Sequence, residues 1–467
     1  MTIQDTKARN RLLGVLFVGV LMAALDIAVV GPALPTLRTV FGVDARALAW
    51  VFAIYVLFNL IGTPLMAKLS DRFGRRTIYT LDVALFAAGS LLVAFAPTFG
   101  VLLVGRAVQG FGAGGIFPVA SAVIGDTFPS EQRGRALGLI GAVWGIAFLL
   151  GPILGGLLLL LGWQWLFLIN VPFALLVIFL GLRELPTRRT PTPAPFDWAG
   201  AMVLSVLLGA LAFALNQIDS ANLLSSLASR VVWPFLLTAV LLLPVLIWVE
   251  GRAADPILNL RLFHSRQISL VTGLSAGAGL SEAIVVFIPA LLVATFGVSS
   301  STASFMLVPM VLAMGIGSPI SGRMLDRYGS KLLVLSGTGL ITLGLLIESL
   351  LGGSLVLFYL FSLLFGLGLA VLLGAALRYI MLNEAPQHER ASAQGLLTLF
   401  TGIGQLVGSV LLGALAASGS GGDAGYRRAF LFLALVMGLL TLSSLGLKSR
   451  AREQATLQPQ TPATVSP

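Results

Sequence analysis

Apolar residues in this chain neither alternate nor form short clusters. They come in unbroken runs of about 20, separated by short polar turns. A helix needs a run of that length to cross the hydrocarbon of a bilayer, whereas the strands of a membrane barrel alternate with period two. Fourteen runs are read, at 12–34, 48–68, 77–95, 99–122, 135–157, 165–182, 198–218, 231–250, 268–295, 302–322, 332–351, 355–382, 391–416 and 429–447. The pattern predicts an all-α membrane protein of 14 spans.

Composition agrees with the pattern. The 467 residues are 57% hydrophobic and only 10% charged, more apolar than a soluble domain can bury. A net charge of +10 raises the question of nucleic acid, but the basic residues sit in the turns between runs, not on one face. With the first span leaving from the cytoplasm, 22 of the 29 Lys and Arg fall on the cytoplasmic side. Only Arg38, Arg46, Arg230, Arg427 and Arg428 fall on the other. That asymmetry places both termini in the cytoplasm and would be scrambled by a missed or extra span. No nucleic-acid partner is expected. The chain has no cysteine, which removes disulfide and thiol chemistry. No cleavable signal peptide is expected before the first span, and the polar stretch 453–467 is expected to be disordered.

The spans repeat. Asp71-Arg72-Phe73-Gly74-Arg75-Arg76 and Asp326-Arg327-Tyr328-Gly329-Ser330-Lys331 align without a gap at a displacement of 255, each at the exit of an apolar run, and Gly62 aligns with Gly317. Pro129 to Arg133 resembles Pro386 to Arg390, and Val29 to Leu34 resembles Val286 to Leu291. Six spans therefore repeat as six spans, and the runs at 198–218 and 231–250 have no counterparts. The architecture is 6+2+6 in two pseudo-symmetric bundles. It divides into 1–186, a linker with two extra spans at 187–266, 267–452, and the tail. Two related membrane halves head the list of functions with transport.

Few charges lie deep in the spans, where each is costly. Asp26 in span 1 and Arg106 in span 4 both fall roughly 10–14 Å inside the outer boundary, at similar depth. Two readings are open: a protonatable carboxylate tuned by a basic neighbour, or a static ion pair that locks two helices. Glu282 falls almost where Asp26 falls in the repeat, and either faces a central cavity or is satisfied within its Gly-rich helix. Asp82, Glu348 and Arg378 lie near span ends and are expected to snorkel to the boundary. Gly141, Gly145, Gly151 and Gly155 in span 5 come at helical spacing and permit close backbone approach, and Pro152 adds a kink point. A basic turn explains Arg72, Arg75 and Arg76 but not Asp71, which could accept from a helix N-terminus in the other half. His264 and His388 are in loops and expected to be solvated; no metal-ligand cluster, nucleophile elbow, phosphate loop or cofactor motif is found.

The chain resembles the major facilitator superfamily and, within it, the 14-spanner drug:proton antiporters. The turn at 67–76 looks like the loop motif after span 2. Gly105, Arg106, Gln109, Gly110, Gly112 and Gly114 look like the span 4 motif of proton-coupled members, and Gly151-Pro152 with Gly155-Gly156 like the span 5 antiporter motif. Residues 25–35, Gly162 to Pro172, and Phe196 to Gly200 are similar to motifs of the 14-spanner group. Ala28, Gly31 and Gln164 depart from that group's Thr, Asn and basic residue. The resemblance implies that span 5 helps to seal the outer side, and that Asp71 meets the helix starting near Ala391. It also implies two halves rocking about a midplane cavity, for which Tyr55, Asn59, Phe117, Trp144, Phe287 and Phe305 are candidate walls.

The expectation is a monomeric, proton-coupled exporter of small amphipathic compounds, lipophilic or cationic, working among membrane lipids without a cofactor. Asp26, Arg106 and Glu282 would carry coupling. Gly62, Asp71, Arg72, Gly74, Arg75, Arg76, Gly145, Gly151, Pro152, Gly155, Asp326 and Arg327 would carry gating. The alternatives are an exporter of an endogenous lipid or metabolite, an uptake symporter, and a non-transporting membrane enzyme or sensor. The last would need a catalytic cluster or soluble domain.

Overall fold

A computed structural model describes residues 5–43, 45–187, 196–219, 222–417 and 423–457; the stretches 188–195 and 458–467 of the expected linker and tail lie outside the described residues. The described chain is helical throughout. Thirteen helices are long and apolar enough to cross a membrane, and a bent pair supplies the fourteenth span. The first half comprises α1 (Thr6–Phe41), α2 (Ala45–Phe73), α3 (Arg75–Ala94), α4 (Phe99–Thr127), α5 (Ser130–Leu159), and a sixth span split into α6 (Trp165–Leu168) and α7 (Asn170–Glu184). The extra pair is α8 (Trp198–Asn216) and α10 (Trp233–Arg252), joined through the short α9 (Leu223–Leu227).

The second half opens with a broken span, α11 (Arg266–Ile284) and α12 (Ile288–Phe296), which bend by 42° across a 3-10 turn at Val285–Phe287. Its next span also breaks, into α13 (Ser300–Phe305) and α14 (Val308–Tyr328). Pro289 and Pro309 sit in the first turn of the segment after each break, where a missing N–H costs nothing. The remaining elements are α15 (Ser330–Leu351), α16 (Leu355–Val371), a π turn at Leu372–Ala376, α17 (Leu377–Glu384), α18 (Arg390–Ala417) and α19 (Asp423–Ser444). A last helix, α20 (Arg450–Leu457), corrects the expectation that disorder begins at 453. Glu453 is buried and accepts a hydrogen bond from Ser330 N at 3.2 Å, satisfying one of the orphan donors at the start of α15.

The repeated basic turn has the same backbone in both halves. Gly74 (φ 97°) caps α3 and Gly329 (φ 85°) caps α15, in a region that side chains with a Cβ rarely enter. This is why glycine recurs there.

The halves meet mainly through α5 against α14 and α2 against α18. Since spans 1–6 correspond to spans 9–14, these are equivalent contacts: span 5 on span 10, and span 2 on span 13. Between apolar helices in lipid, backbone packing drives association more than burial does. A Cβ added at Gly138 would stand 2.6 Å from Ser318 O, and one at Gly134 2.7 Å from Gly322 O, so α5 and α14 touch backbone to backbone. The extra pair lies at the other seam. Leu204, Leu207 and Leu208 of α8 cluster with Leu60 of α2 and Leu399 of α18. Much of the outer face of α10, including Val240, Leu241, Ile247 and Trp248, is exposed, as befits a surface against lipid.

Candidate functional site

Asp26 lies in the middle of α1, wholly buried, and two further helices supply its donors. Arg106 Nη1 of α4 donates to Oδ2 at 2.5 Å; Gln109 Nε2, one turn further along α4, donates to Oδ1 at 3.0 Å; Asn170 Nδ2, at the start of α7, donates to Oδ1 at 2.8 Å. Ser90 of α3 accepts from Gln109 at 2.7 Å and from Asn170 at 3.3 Å. Arg106 also donates from Nε to Val51 O at 3.1 Å, and its guanidinium lies 4.3 Å from the centre of the Tyr55 ring. A lone charge at the centre of a spanning helix costs about 3 kcal/mol on insertion scales. This carboxylate offsets that cost with three donors, one of them charged.

Tyr55 separates the cluster from a cavity of about 180 Å³. Helices of both halves line it: α1, α2, α4 and α5 from the first, α11, α14, α17 and α18 from the second. Tyr55, Asn59, Phe117 and Trp144 are on its wall. Phe117 and Trp144 meet edge to face, with ring centroids 6.4 Å apart. Phe287 and Phe305 do not reach it. Both belong to the broken spans: Phe287 lies in the 3-10 turn and packs against the core, while Phe305 ends α13 and is 73% exposed. Glu282 is on the wall, half-buried, with no hydrogen-bond or ion-pair partner among the described residues.

Three charges expected to snorkel are buried. Asp82 is fully buried where α3 packs on α4, beside Gly115, and its oxygens have no hydrogen-bond partner among the described residues. Neighbouring helices enclose it two turns into α3, so it has no path along which to snorkel. Glu348 is buried near the end of α15. Arg378 lies on the cavity wall, its guanidinium 3.7 Å from the centre of the Phe117 ring.

At the basic end of the bundle, Asp71 accepts from Ala391 N at 3.1 Å, from Ser392 N at 2.7 Å and from Ser392 Oγ at 2.6 Å, at the start of α18. Arg75 bridges Asp71 (2.5 Å) and Asp126 (3.1 Å), and Arg390 reaches Asp126 at 2.8 Å. In the repeat, Asp326 accepts from Gly134 N and Arg135 N, both at 3.0 Å, at the start of α5. Arg133 there meets Asn383 at 3.0 Å, where the first site has Arg390 and Asp126. Arg72 lies 3.6 Å from Asp255, which also pairs with Lys68. Arg76 donates to Leu185 O at 2.7 Å, and Arg327 stacks on Tyr328 and accepts through its carbonyl from Arg450. Gly62 packs on the backbone of Phe111, Gly145 faces Gly315, Gly151 faces Ala28 and Gly155 is buried; the Pro152 side chain lies outside the described residues.

The sequence alone does not single out Gln109, Ser90, Asn170, Asp126, Arg378 or Arg390 for these places. The i, i+3 spacing of Arg106 and Gln109 is the one local signal, since it puts both on one helix face.

Two helical bundles closing on a largely apolar cavity that carries a few polar and charged groups, with a shielded ion pair beside it, define a membrane transporter. The description "Major Facilitator Superfamily" matches residues 16–281 and 268–467, and the chain belongs to that family. It is 35% identical over 424 residues to the uncharacterized MFS-type transporter YfiU of Bacillus subtilis, covering 89% of this chain and 81% of that one. It is 33% identical over 336 residues to multidrug resistance protein 3 of the same organism, covering 72% and 65%. The crystal structure of the human organic anion transporter MFSD10 shares the fold, with a TM-score of 0.72 at 21% identity, over 94% of this chain and 100% of that one.

Proposed function

We propose that the protein is a proton-coupled antiporter of the cytoplasmic membrane that exports amphipathic compounds, lipophilic or cationic, by alternating access. The observation that carries this reading is the Asp26–Arg106 pair, buried beside the cavity with the Arg106 guanidinium against Tyr55 of its wall. The similarity to a multidrug resistance protein supports the cargo class.

In the proposed cycle, a proton on Asp26 removes the charge that holds Arg106 Nη1. The guanidinium shifts against Tyr55 and reshapes the cavity wall, and cargo is released. Cargo binding at the same wall favours the charged pair and expels the proton. Linkage makes the two effects equal in free energy. Glu282 serves as a second titrating group on the opposite wall. The Asp71 and Asp326 contacts close the basic end, which is assigned to the cytoplasm with both termini, on the strength of the charge asymmetry. Gly62, Gly74, Arg72, Arg76 and Arg327 support that closure, and Gly145, Gly151, Pro152 and Gly155 let α5 seal the far end.

The test is transport of a fluorescent cationic dye in liposomes under an imposed proton gradient. Wild-type protein concentrates the dye. Asp26→Asn loses gradient-driven movement but retains passive exchange. An Asp26→Asn protein that still concentrates the dye rules out Asp26 as the coupling site, and Glu282→Gln in the same assay then decides whether Glu282 replaces it.

A further inference from the structure

We infer that the cavity contains an anion-binding subsite built on Arg378, and that the amphipathic compounds it admits include ones that carry an oxyanion, such as a carboxylate, on an apolar body. The inference rests on the proposed role of the cavity as the cargo site, but not on proton coupling. Arg378 lines the cavity while only 8% exposed. Its protein partners are neutral and distant: Nη1 is 3.3 Å from Gln394 Oε1 and Nη2 3.5 Å from Thr398 Oγ1. No carboxylate pairs with it among the described residues, in contrast to Arg106, which Asp26 meets at 2.5 Å. Of its five N–H donors, three are left without a protein acceptor among those residues. A buried guanidinium in that condition is costly unless a ligand completes it.

The backbone is arranged to put it there. The π turn at Leu372–Ala376 precedes it, and Gly374 leaves helical geometry at φ −78°, ψ −108°. One extra residue in a turn rotates the rest of the helix by about 100°. That rotation sets the face of the helix on which Arg378 stands, and the residue lies on the cavity wall. Gly374 is wedged against Ser318 of α14 and Gly141 of α5, which holds the turn in place. Phe117 covers one face of the guanidinium at 3.7 Å and fixes the plane of its fork. A planar fork with free donors matches a carboxylate better than a point charge does. The neighbouring wall is apolar, with Leu373, Leu377, Met314 and Trp144, and suits a hydrocarbon body.

Equilibrium binding to the purified full chain in nanodiscs tests this, with a dansyl-labelled fatty acid, its neutral amide and the matching amine as probes. No proton gradient is applied, so a failure of coupling at Asp26 leaves the result readable. Wild type should bind the acid roughly tenfold or more tightly than the amide. Arg378→Gln should abolish that preference while holding amide affinity within roughly twofold, and Arg378→Lys should keep part of it. Equal binding of acid and amide by wild type overturns the proposal, as does an equal loss of both in Arg378→Gln. So does a preference restored in Arg378→Gln by adding Glu282→Gln, since Arg378 would then act by neutralising Glu282.

Discussion

Asp71 and Asp326 occupy equivalent places in the two halves but meet different surroundings. Each accepts from two backbone N–H groups at the start of a helix in the opposite half. Asp71 also pairs with Arg75, which is tied through Asp126 to Arg390 across the seam. Around Asp326 the corresponding residues are Ser330 and Asn383, so the second site lacks that charged bridge. Charge-assisted bonds are about twice as strong as neutral ones, which makes the Asp71 site the stronger clasp. Asp71→Asn is therefore expected to lower dye turnover by roughly tenfold with binding affinity nearly unchanged, because it acts on the conformational equilibrium. Asp326→Asn should do less. Rate and affinity measured on equal amounts of folded protein check this, and a larger effect at Asp326 contradicts it. Depth along two apolar runs is enough to pick out Asp26 and Arg106. Ser90 and Asn170 are not legible in the sequence as partners of Asp26, because they come together with it only when four helices pack; Gln109 is marked only by its i, i+3 spacing from Arg106. Arg378 reads as a boundary residue because it lies near the end of the run 355–382, and hydropathy carries no sign of the cavity beside it.

Hydropathy locates the spans because their length is set by the bilayer, not by their neighbours. It passes over the breaks at Val285–Phe287 and Met306–Leu307, since interrupted segments are as apolar as continuous ones. Phe287 and Phe305 are misplaced for that reason. It also misses α20, whose stability comes from contacts at the start of α15 and not from its own polar sequence. The pair α8 and α10 packs at the seam between α2 and α18, and Asp255 just beyond α10 pairs with Lys68 at the end of α2. Both helices must cross the bilayer for that arrangement to sit at the basic end. The lack of native cysteine makes the crossing testable. Single cysteines at Ser225 and Ser299 should react with an impermeant thiol reagent applied from outside. A cysteine at His264 should react only after the membrane is opened. Labelling at His264 from outside would contradict both the orientation and the crossing of the pair.

Over the whole molecule, the contacts of span 5 with span 10 and of span 2 with span 13 exchange under the repeat. In the proposed cycle, an interface of that symmetry would let one half tilt against the other while the cavity stays between them. The two Asp clasps hold the basic end, and the cavity wall carries Tyr55, behind which the charged cluster is shielded. The central claim is that cargo and proton compete across that wall. The most direct test is proton release from purified protein in weakly buffered solution when cargo is added, for wild type and Asp26→Asn. Wild type should release about one proton per cargo bound as the Asp26–Arg106 pair is restored, and Asp26→Asn should bind cargo and release none. Cargo binding without proton release in wild type, or equal release in both proteins, would contradict the account.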